Sequence, residues 1–427
     1  MSSAKVYIET YGCSSNQMDS QIMGGTLKLK GYSLVEDAEK ADIVILNLCS
    51  VKQKTENKER HRIEELRKSG KKLVLAGCLP EAVNLGKDYP ETSQIGTNRV
   101  AEIETVVSDT LNGQRTVLLG KSKMPKVLMP KIQNGTIRIM EVQSGCGYFC
   151  SFCSTKFAKG GQYPYPSRDI VKEIELSLAE GVREFWITGQ EVAGYSDNGI
   201  LLPDLINKIT RIEGNFFLRI GMLHPASVLP ILNELIESYK NGKVFKFLHL
   251  PQQSGSDSML GKMNRKNRTE DYKFIVKKFR ESFPEVTVWT DIIVGHPGET
   301  DEEFAETVRF VEETKPDFVN ISAYGWRPNT PAAGMKQVPS DVKKYRTRSL
   351  TTIVKKLMLE GNNKWLGWKG NVLVDEYKLG KGTWLGRNYA YKPVVLTGEH
   401  KAGDFADVEI KQAKETHLEG IYSRSDK

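Results

Sequence analysis

Thr136–Cys153 reads TIRIMEVQSGCGYFCSFC. The first half, Thr136–Gln143, is apolar and β-branched, interrupted by the single charges Arg138 and Glu141. That is the composition of a buried strand. The second half is glycine, serine and aromatic residues around Cys146, Cys150 and Cys153, spaced C-x3-C-x2-C. A structural zinc site takes four protein ligands in a closed tetrahedron, and neither a fourth cysteine nor a nearby histidine completes this set. A 4Fe–4S cluster has four corners, so three thiolates leave one iron open to a non-protein ligand. The alternatives are an incomplete zinc knuckle or buried structural thiols.

Downstream, further strand candidates recur at spacings that admit a helix between each: Glu184–Thr188, Phe216–Gly221, Lys246–Leu250, Val286–Val294 and Phe318–Tyr324. The intervening helices are expected near Asp169–Ala179, Pro203–Ile212, Ser227–Ser238, Thr269–Ser282 and Asp301–Glu313. Six βα units rather than eight imply an open, partial (β/α)6 barrel over residues 132–360, with its chemistry at the carboxyl ends of the strands. Those ends carry glycine and polar residues: Thr188, Gly189, Gln190 and Glu191 after one strand, Gln253 and Ser254 after another, Gly295 and Gly298 after a third. Arg219 projects from the strand Phe216–Gly221, toward an ion pair or toward a ligand carboxylate. His249 and His296 lack metal-spaced partners and read as structural.

Upstream, Lys5–Thr10, Ile43–Leu48, Leu73–Ala76 and Gln94–Gly96 alternate with helices near Met18–Lys30, Thr55–Lys68 and Arg99–Leu111. The alternation predicts a parallel α/β sheet for residues 1–112. Cys13, Cys49 and Cys78 each fall just past a strand, and in such a sheet strand ends share one edge. Three thiols far apart in sequence are thereby expected to converge, again one ligand short of a cluster. Three unrelated buried cysteines are the alternative. Residues 113–131, with Pro125, Pro130, Lys121, Lys123, Lys126 and Lys131, read as a solvated linker.

After the barrel, Asp341–Lys356 is an expected helix rich in Lys343, Lys344, Arg346, Arg348, Lys355 and Lys356, either a solvated face or a contact for RNA. From 361 to 427 short strands with glycine turns suggest a small β-barrel. Trp365, Trp368, Trp384, Tyr389 and Tyr391 offer faces on which unpaired bases stack.

All six cysteines lie in the first 153 of 427 residues, too few for a disulfide scaffold. With no secretory start and no membrane-length apolar run, the expectation is a cytoplasmic protein without membrane attachment. The net charge of +8 is compatible with a polyanionic partner but also with none.

With these residues in hand, the chain resembles the radical S-adenosylmethionine (SAM) methylthiotransferase family over essentially its full length. It is most similar to the archaeal and eukaryotic branch acting on N6-threonylcarbamoyladenosine at tRNA position 37 (t6A37). The resemblance rests on the six cysteines and on Ser154–Gly160 (STKFAKG), Arg219–Met222 (RIGM), Phe247–Asp257 (FLHLPQQSGSD) and Trp326–Ala333 (WRPNTPAA). It departs from the family pattern at Lys159, where arginine is usual, and at Asn329, where glycine is. It implies an N-terminal methylthiotransferase domain, a radical SAM core and a C-terminal TRAM domain. It also implies two 4Fe–4S clusters, on Cys13, Cys49 and Cys78 and on Cys146, Cys150 and Cys153. SAM would sit against Phe152, Thr188, Gly189, Gln190, Glu191, Arg219, Gln253, Ser254, Gly295 and Gly298. The implied reaction places a methylthio group on carbon 2 of the adenine, a position without a polar handle. The implied partners are the tRNA anticodon arm and an electron donor such as a flavodoxin or ferredoxin, with a monomer the default. A ribosomal-protein substrate, another tRNA adenosine and a non-catalytic zinc and RNA-binding role are the rivals.

Overall fold

The computed structural model describes residues 3–133 and 135–422. The N-terminal sheet runs Ser33–Leu34, Lys5–Thr10, Ile43–Leu48, Lys72–Gly77, Ser93–Gly96, Val117–Leu118, all parallel. Ile43–Leu48 (IVILNL) is buried at every position, as a central parallel strand with helices on both faces requires. Met18, Ile22, Met23 and Leu27 of helix Ser14–Leu29 form the stripe that covers it. Gly24 and Gly25 interrupt that helix for a reason of space. A Cβ on Gly25 would stand 2.6 Å from the backbone of Pro130.

Residues 113–131 are solvated in part, with Lys121 and Lys123 exposed as expected, but anchored at several points. Val117–Leu118 adds the last strand of the sheet, Val127 enters the barrel core, and Lys126 and Lys131 are buried in ion pairs with Asp19 (2.5 Å) and Glu173 (2.7 Å). Their carboxylate partners come from distant sequence, so composition alone reads them as solvated.

The central domain carries the six expected parallel strands: Ile137–Glu141, Glu184–Thr188, Phe217–Ile220, Phe247–His249, Thr287–Val294 and Phe318–Ala323. They pair as two ladders of three. An isolated parallel bridge, Leu218 to Val244, links the first ladder to the segment that enters the second. Among the described residues the sixth strand does not pair with the first, so the barrel is open. Helix Ser340–Asn363 lays Leu350, Val354 and Met358 on the outside of the barrel and leads into the last domain.

That domain is a closed five-stranded barrel: Lys369–Lys378, Thr383–Arg387, Pro393–Leu396, Phe405–Ala413 and Leu418–Tyr422. It docks on the amino-terminal mouth of the central barrel. Tyr391, 3% exposed, packs its ring 4.9 Å from Phe245 and 4.8 Å from Phe247. Around it, the Lys246 amide donates to the Tyr389 carbonyl (2.8 Å) and Lys392 Nζ pairs with Asp317 (2.7 Å).

Candidate active site at the paired cysteine loops

Each N-terminal cysteine sits at the carboxyl end of one of three adjacent strands. Cys13 caps helix Ser14–Leu29, Cys49 directly follows Ile43–Leu48, and Cys78 opens the short helix Cys78–Ala82. Gly12 has φ 101°, and a Cβ there would lie 2.8 Å from Cys49 Sγ, so only glycine lets the Cys13 loop close on Cys49. Asn16 ties the three loops together. Its Nδ2 donates to the Leu48 and Tyr11 carbonyls (3.0 and 2.9 Å), and its Oδ1 accepts from Cys78 Sγ at 3.5 Å. Burial pushes the Cys49 thiol up to about 11 and Cys78 in the same direction.

The second trio lies on the loop that leaves the first barrel strand. Gly145 has φ 71° and packs on the Gly161 carbonyl, and its amide donates to Gln190 Oε1 (2.9 Å). Tyr148 stacks on His224 with ring centroids 3.7 Å apart and hydrogen-bonds Ser227 Oγ at 2.7 Å. Burial holds His224 neutral, its pKa depressed to about 2. Ser151 meets His296 Nε2 (3.0 Å), and its carbonyl accepts the Ala332 amide (2.9 Å). Burial raises the Cys146 thiol to about 11. Cys150 is raised by burial against the pull of Arg265, whose Nη1 stands 4.0 Å from its sulfur.

The two loops face each other across the domain seam. Ser154 Oγ donates to the Ser50 carbonyl (2.8 Å), Cys78 and Ala82 pack on Ala158, Asn98 Nδ2 donates to the Ala158 carbonyl (2.8 Å), and Ser14 Oγ lies 3.2 Å from Thr188 Oγ1. Among the described residues no three His, Cys, Asp or Glu side chains gather tightly enough to hold a single metal ion. A four-iron cluster holds its thiolates farther apart than one ion does. Three free thiols in each set, with no fourth cysteine among the described residues, are the donor chemistry of such a cluster with one corner open.

Thr188, Gly189, Gln190 and Glu191 end and follow strand Glu184–Thr188 beside the Cys146–Cys153 loop, where Gln190 accepts the Gly145 amide. Glu191 is spent within the turn, accepting the Ala193, Gly194 and His224 amides (2.7, 2.8 and 3.2 Å). Gln253 holds φ 79° and pairs its backbone with Asp291 and Ile293. Phe152 packs edge-on to His296, between Gly295 and Gly298 in sequence. Two of the residues point elsewhere. Ser254 turns its hydroxyl outward to Thr307 Oγ1 (3.2 Å). Arg219 points to the opposite end of the barrel, its guanidinium 5.2, 5.1 and 5.5 Å from the rings of Trp186, Phe247 and Tyr391. It serves the docked C-terminal barrel rather than the cysteine face.

His296 is satisfied as expected, its Nδ1 meeting the Pro297 carbonyl (3.0 Å). His249 differs. Its Nε2 bonds Asp291 (2.8 Å), Asn320 bonds the other Asp291 oxygen (2.6 Å), and Lys52 reaches Asn320 from the Cys49 loop (3.2 Å), while His249 Nδ1 is buried without a partner. Lys52, Asp291, Asn320 and Arg265 carry no motif in the sequence, while Tyr148 and Arg327 lie within quoted motifs without an assigned role. A charged or amide residue inside an apolar strand, as in VTVWTDIIV, was the one readable signal. Arg327 crosses the seam to Glu56 (2.6 Å) and leaves Nε and Nη2 buried and unpaired.

The RNA-facing expectations divide. Arg346 is buried, paired with Glu299 (2.8 Å) and Asp301 (2.6 Å), whereas Lys344 and Arg348 are exposed. Trp365 and Tyr391 are core residues and cannot stack a base. Half-buried Trp384 instead joins Tyr377 (5.1 Å), His400 (6.3 Å) and, through His400, Tyr422 (5.9 Å) in a surface row.

Residues 140–311 match the radical SAM superfamily, 5–93 the Uncharacterized protein family UPF0004, and 367–422 the TRAM domain. The structure is similar to the cobalamin- and [4Fe-4S]-bound radical SAM methyltransferase TsrM of Kitasatospora setae, at TM-score 0.58 and 16% identity over 78% of this chain and 77% of that one. Fold and cysteine loops therefore define a radical SAM enzyme joined to a TRAM barrel. A probable threonylcarbamoyladenosine tRNA methylthiotransferase of Pyrococcus horikoshii is 38% identical over 97% of this chain and 99% of its own length. That of Archaeoglobus fulgidus is 39% identical over 97% and 98%, and the human threonylcarbamoyladenosine tRNA methylthiotransferase 36% identical over 97% and 73%. The chain belongs to the threonylcarbamoyladenosine tRNA methylthiotransferase family. Enzymes of this family work with SAM and two 4Fe–4S clusters.

Proposed function

We propose that this enzyme converts N6-threonylcarbamoyladenosine at position 37 of tRNA to its 2-methylthio derivative. In this reading Cys146, Cys150 and Cys153 hold the cluster that binds SAM, and Cys13, Cys49 and Cys78 hold the second. Bound there, these groups supply the electron, the hydrogen-abstracting radical, the sulfur and the methyl group. The chain supplies position and dryness. The Gly145 amide on Gln190 and the Tyr148–His224 stack hold the radical loop, and neutral His224 adds no charge to it. Phe152, Thr188, Gly189, Gln190, Glu191, Gln253, Gly295 and Gly298 border the space assigned to SAM, with Ser254 and Arg219 withdrawn. The observation that carries the reading is the Ser154–Ser50 bond, which brings one thiol trio against the other.

Surface lysines and arginines such as Lys344 and Arg348 give tRNA a sequence-independent grip, and Tyr377, Trp384 and Tyr422 offer stacking faces in the TRAM barrel. Free thiols point to a reducing cytoplasm, and a flavodoxin or ferredoxin suits the role of electron donor. No helix among the described residues is long and apolar enough to cross a membrane. The test is anaerobic incubation of reconstituted enzyme with SAM, reductant and tRNA carrying the threonylcarbamoyl group, followed by nucleoside digestion and mass spectrometry. A new nucleoside heavier by one methylthio group in place of hydrogen is expected. SAM cleavage with unchanged nucleosides would refute the substrate.

A further inference from the structure

Four charged side chains are sealed in the seam between the N-terminal domain and the barrel. Asp19 and Glu141 are 0% exposed at the side chain, Lys126 4% and Lys159 1%. Lys126 Nζ lies 2.5 Å from Asp19 and 3.8 Å from Glu141, Lys159 Nζ lies 3.1 Å from Glu141, and Thr97 Oγ1 donates to Asp19 at 2.6 Å. Burying ions costs several kcal/mol each, and well-packed apolar residues often hold such a seam as well or better. Adhesion alone does not account for four charges.

Their placement does. Asp19 sits on the helix capped by Cys13. Glu141 ends the strand that leads into Cys146, and Lys159 ends the short helix that follows Cys153. The quartet thus ties the Cys13 helix to both flanks of the radical cysteine loop. The two cations are not equivalent. Lys159 adjoins Ala158, which packs directly on Cys78. The Asn98 amide, donating to the Ala158 carbonyl at 2.8 Å, fixes that end of the short helix against the N-terminal domain.

We propose that Lys159 is a positioning cation for the second cluster, fixing the Cys13–Cys49–Cys78 loops against the radical loop and stabilising the more negative, reduced state of the group those thiols hold. This rests on the cluster assignment made above. A cation near a redox centre raises its potential, because reduction adds negative charge beside it.

The test is a redox titration followed by electron paramagnetic resonance, on full-length reconstituted protein in which Cys146, Cys150 and Cys153 are replaced by alanine so that only the second cluster gives a signal. Lys159→Met should move its midpoint at least tenfold in the reduction equilibrium toward the oxidised state, which is about 59 mV more negative for one electron. Lys159→Arg, keeping the charge, should restore it. An unchanged midpoint in Lys159→Met overturns the proposal, and an equal shift in both variants shows packing rather than charge and overturns it too. If Lys159→Met alone does not fold, Lys159→Met with Glu141→Gln keeps the seam neutral; a shift in the same direction is expected there, and none refutes. Failure of the unmodified background to bind iron instead removes the cluster assignment itself.

Discussion

Replacing Tyr391 by alanine removes the ring that plugs the amino-terminal mouth of the barrel. A buried aromatic truncated to alanine costs about 3–5 kcal/mol. Tyr391 also packs on Phe245 and Phe247 and lies under two guanidinium groups, Arg387 at 4.7 Å and Arg219 at 5.5 Å, which places the loss near the upper end. The TRAM barrel should therefore part from the core far more readily than the core unfolds. The reporter is the Lys246 amide, which crosses the seam to the Tyr389 carbonyl at 2.8 Å. A loss of about 4 kcal/mol corresponds to roughly a thousandfold faster hydrogen exchange at that amide if it opens by undocking. Tyr391 has φ 62°, so Tyr391→Gly should recover about 1 kcal/mol relative to Tyr391→Ala by releasing left-handed strain. Exchange at Lys246 altered less than tenfold in Tyr391→Ala would refute the plug.

Cys49→Ala should halve the iron content, retain SAM cleavage and lose methylthiolation; intact methylthiolation would remove the second trio from the reaction. Asp375 is raised well above the usual carboxylate range by burial first and by Glu184 next, against the opposing pull of Arg387. A raised folded pKa means that its contribution to stability is full below the unfolded value of about 3.9 and is lost as pH rises through the folded one. Asp375→Asn should therefore flatten the fall of the melting temperature that begins as pH rises above about 3.9, and an unaltered fall would exclude this carboxylate. Lys344→Ala with Arg348→Ala should reduce the slope of tRNA affinity against log salt by about two. Arg346→Met should instead leave the slope and cost about 3–5 kcal/mol of stability by stranding Glu299, as read by urea denaturation.

Strand runs such as IVILNL and VTVWTDIIV were legible because a parallel strand covered on both faces is mostly apolar, and Cys13, Cys49 and Cys78 were legible because each follows a strand run. The anchoring of residues 113–131, the burial of Lys126 and Arg346, and the downward turn of Arg219 were not. In each, the deciding partner is distant in sequence: Asp19 and Glu141 for Lys126, Glu299 for Arg346, and Tyr391 for Arg219. Local composition describes a lysine's cost of burial but not the carboxylate that offsets it. Tyr391 reads as one more aromatic in a glycine-rich barrel until the barrel mouth it fills is known.

The TRAM barrel sits at one mouth of the central barrel and the thiols at the other. A wall strand such as Glu184–Thr188 has five residues, which is about 17 Å of strand and, at a tilt of about 36°, roughly 14 Å of height. A nucleic acid clasped by the small barrel must travel at least that far along the flank before a nucleotide can bend over the rim. The enzyme is then a gauge as well as a catalyst, and an isolated nucleoside or a clipped loop, too short to bridge the two ends, would forfeit the anchorage that a full stem provides.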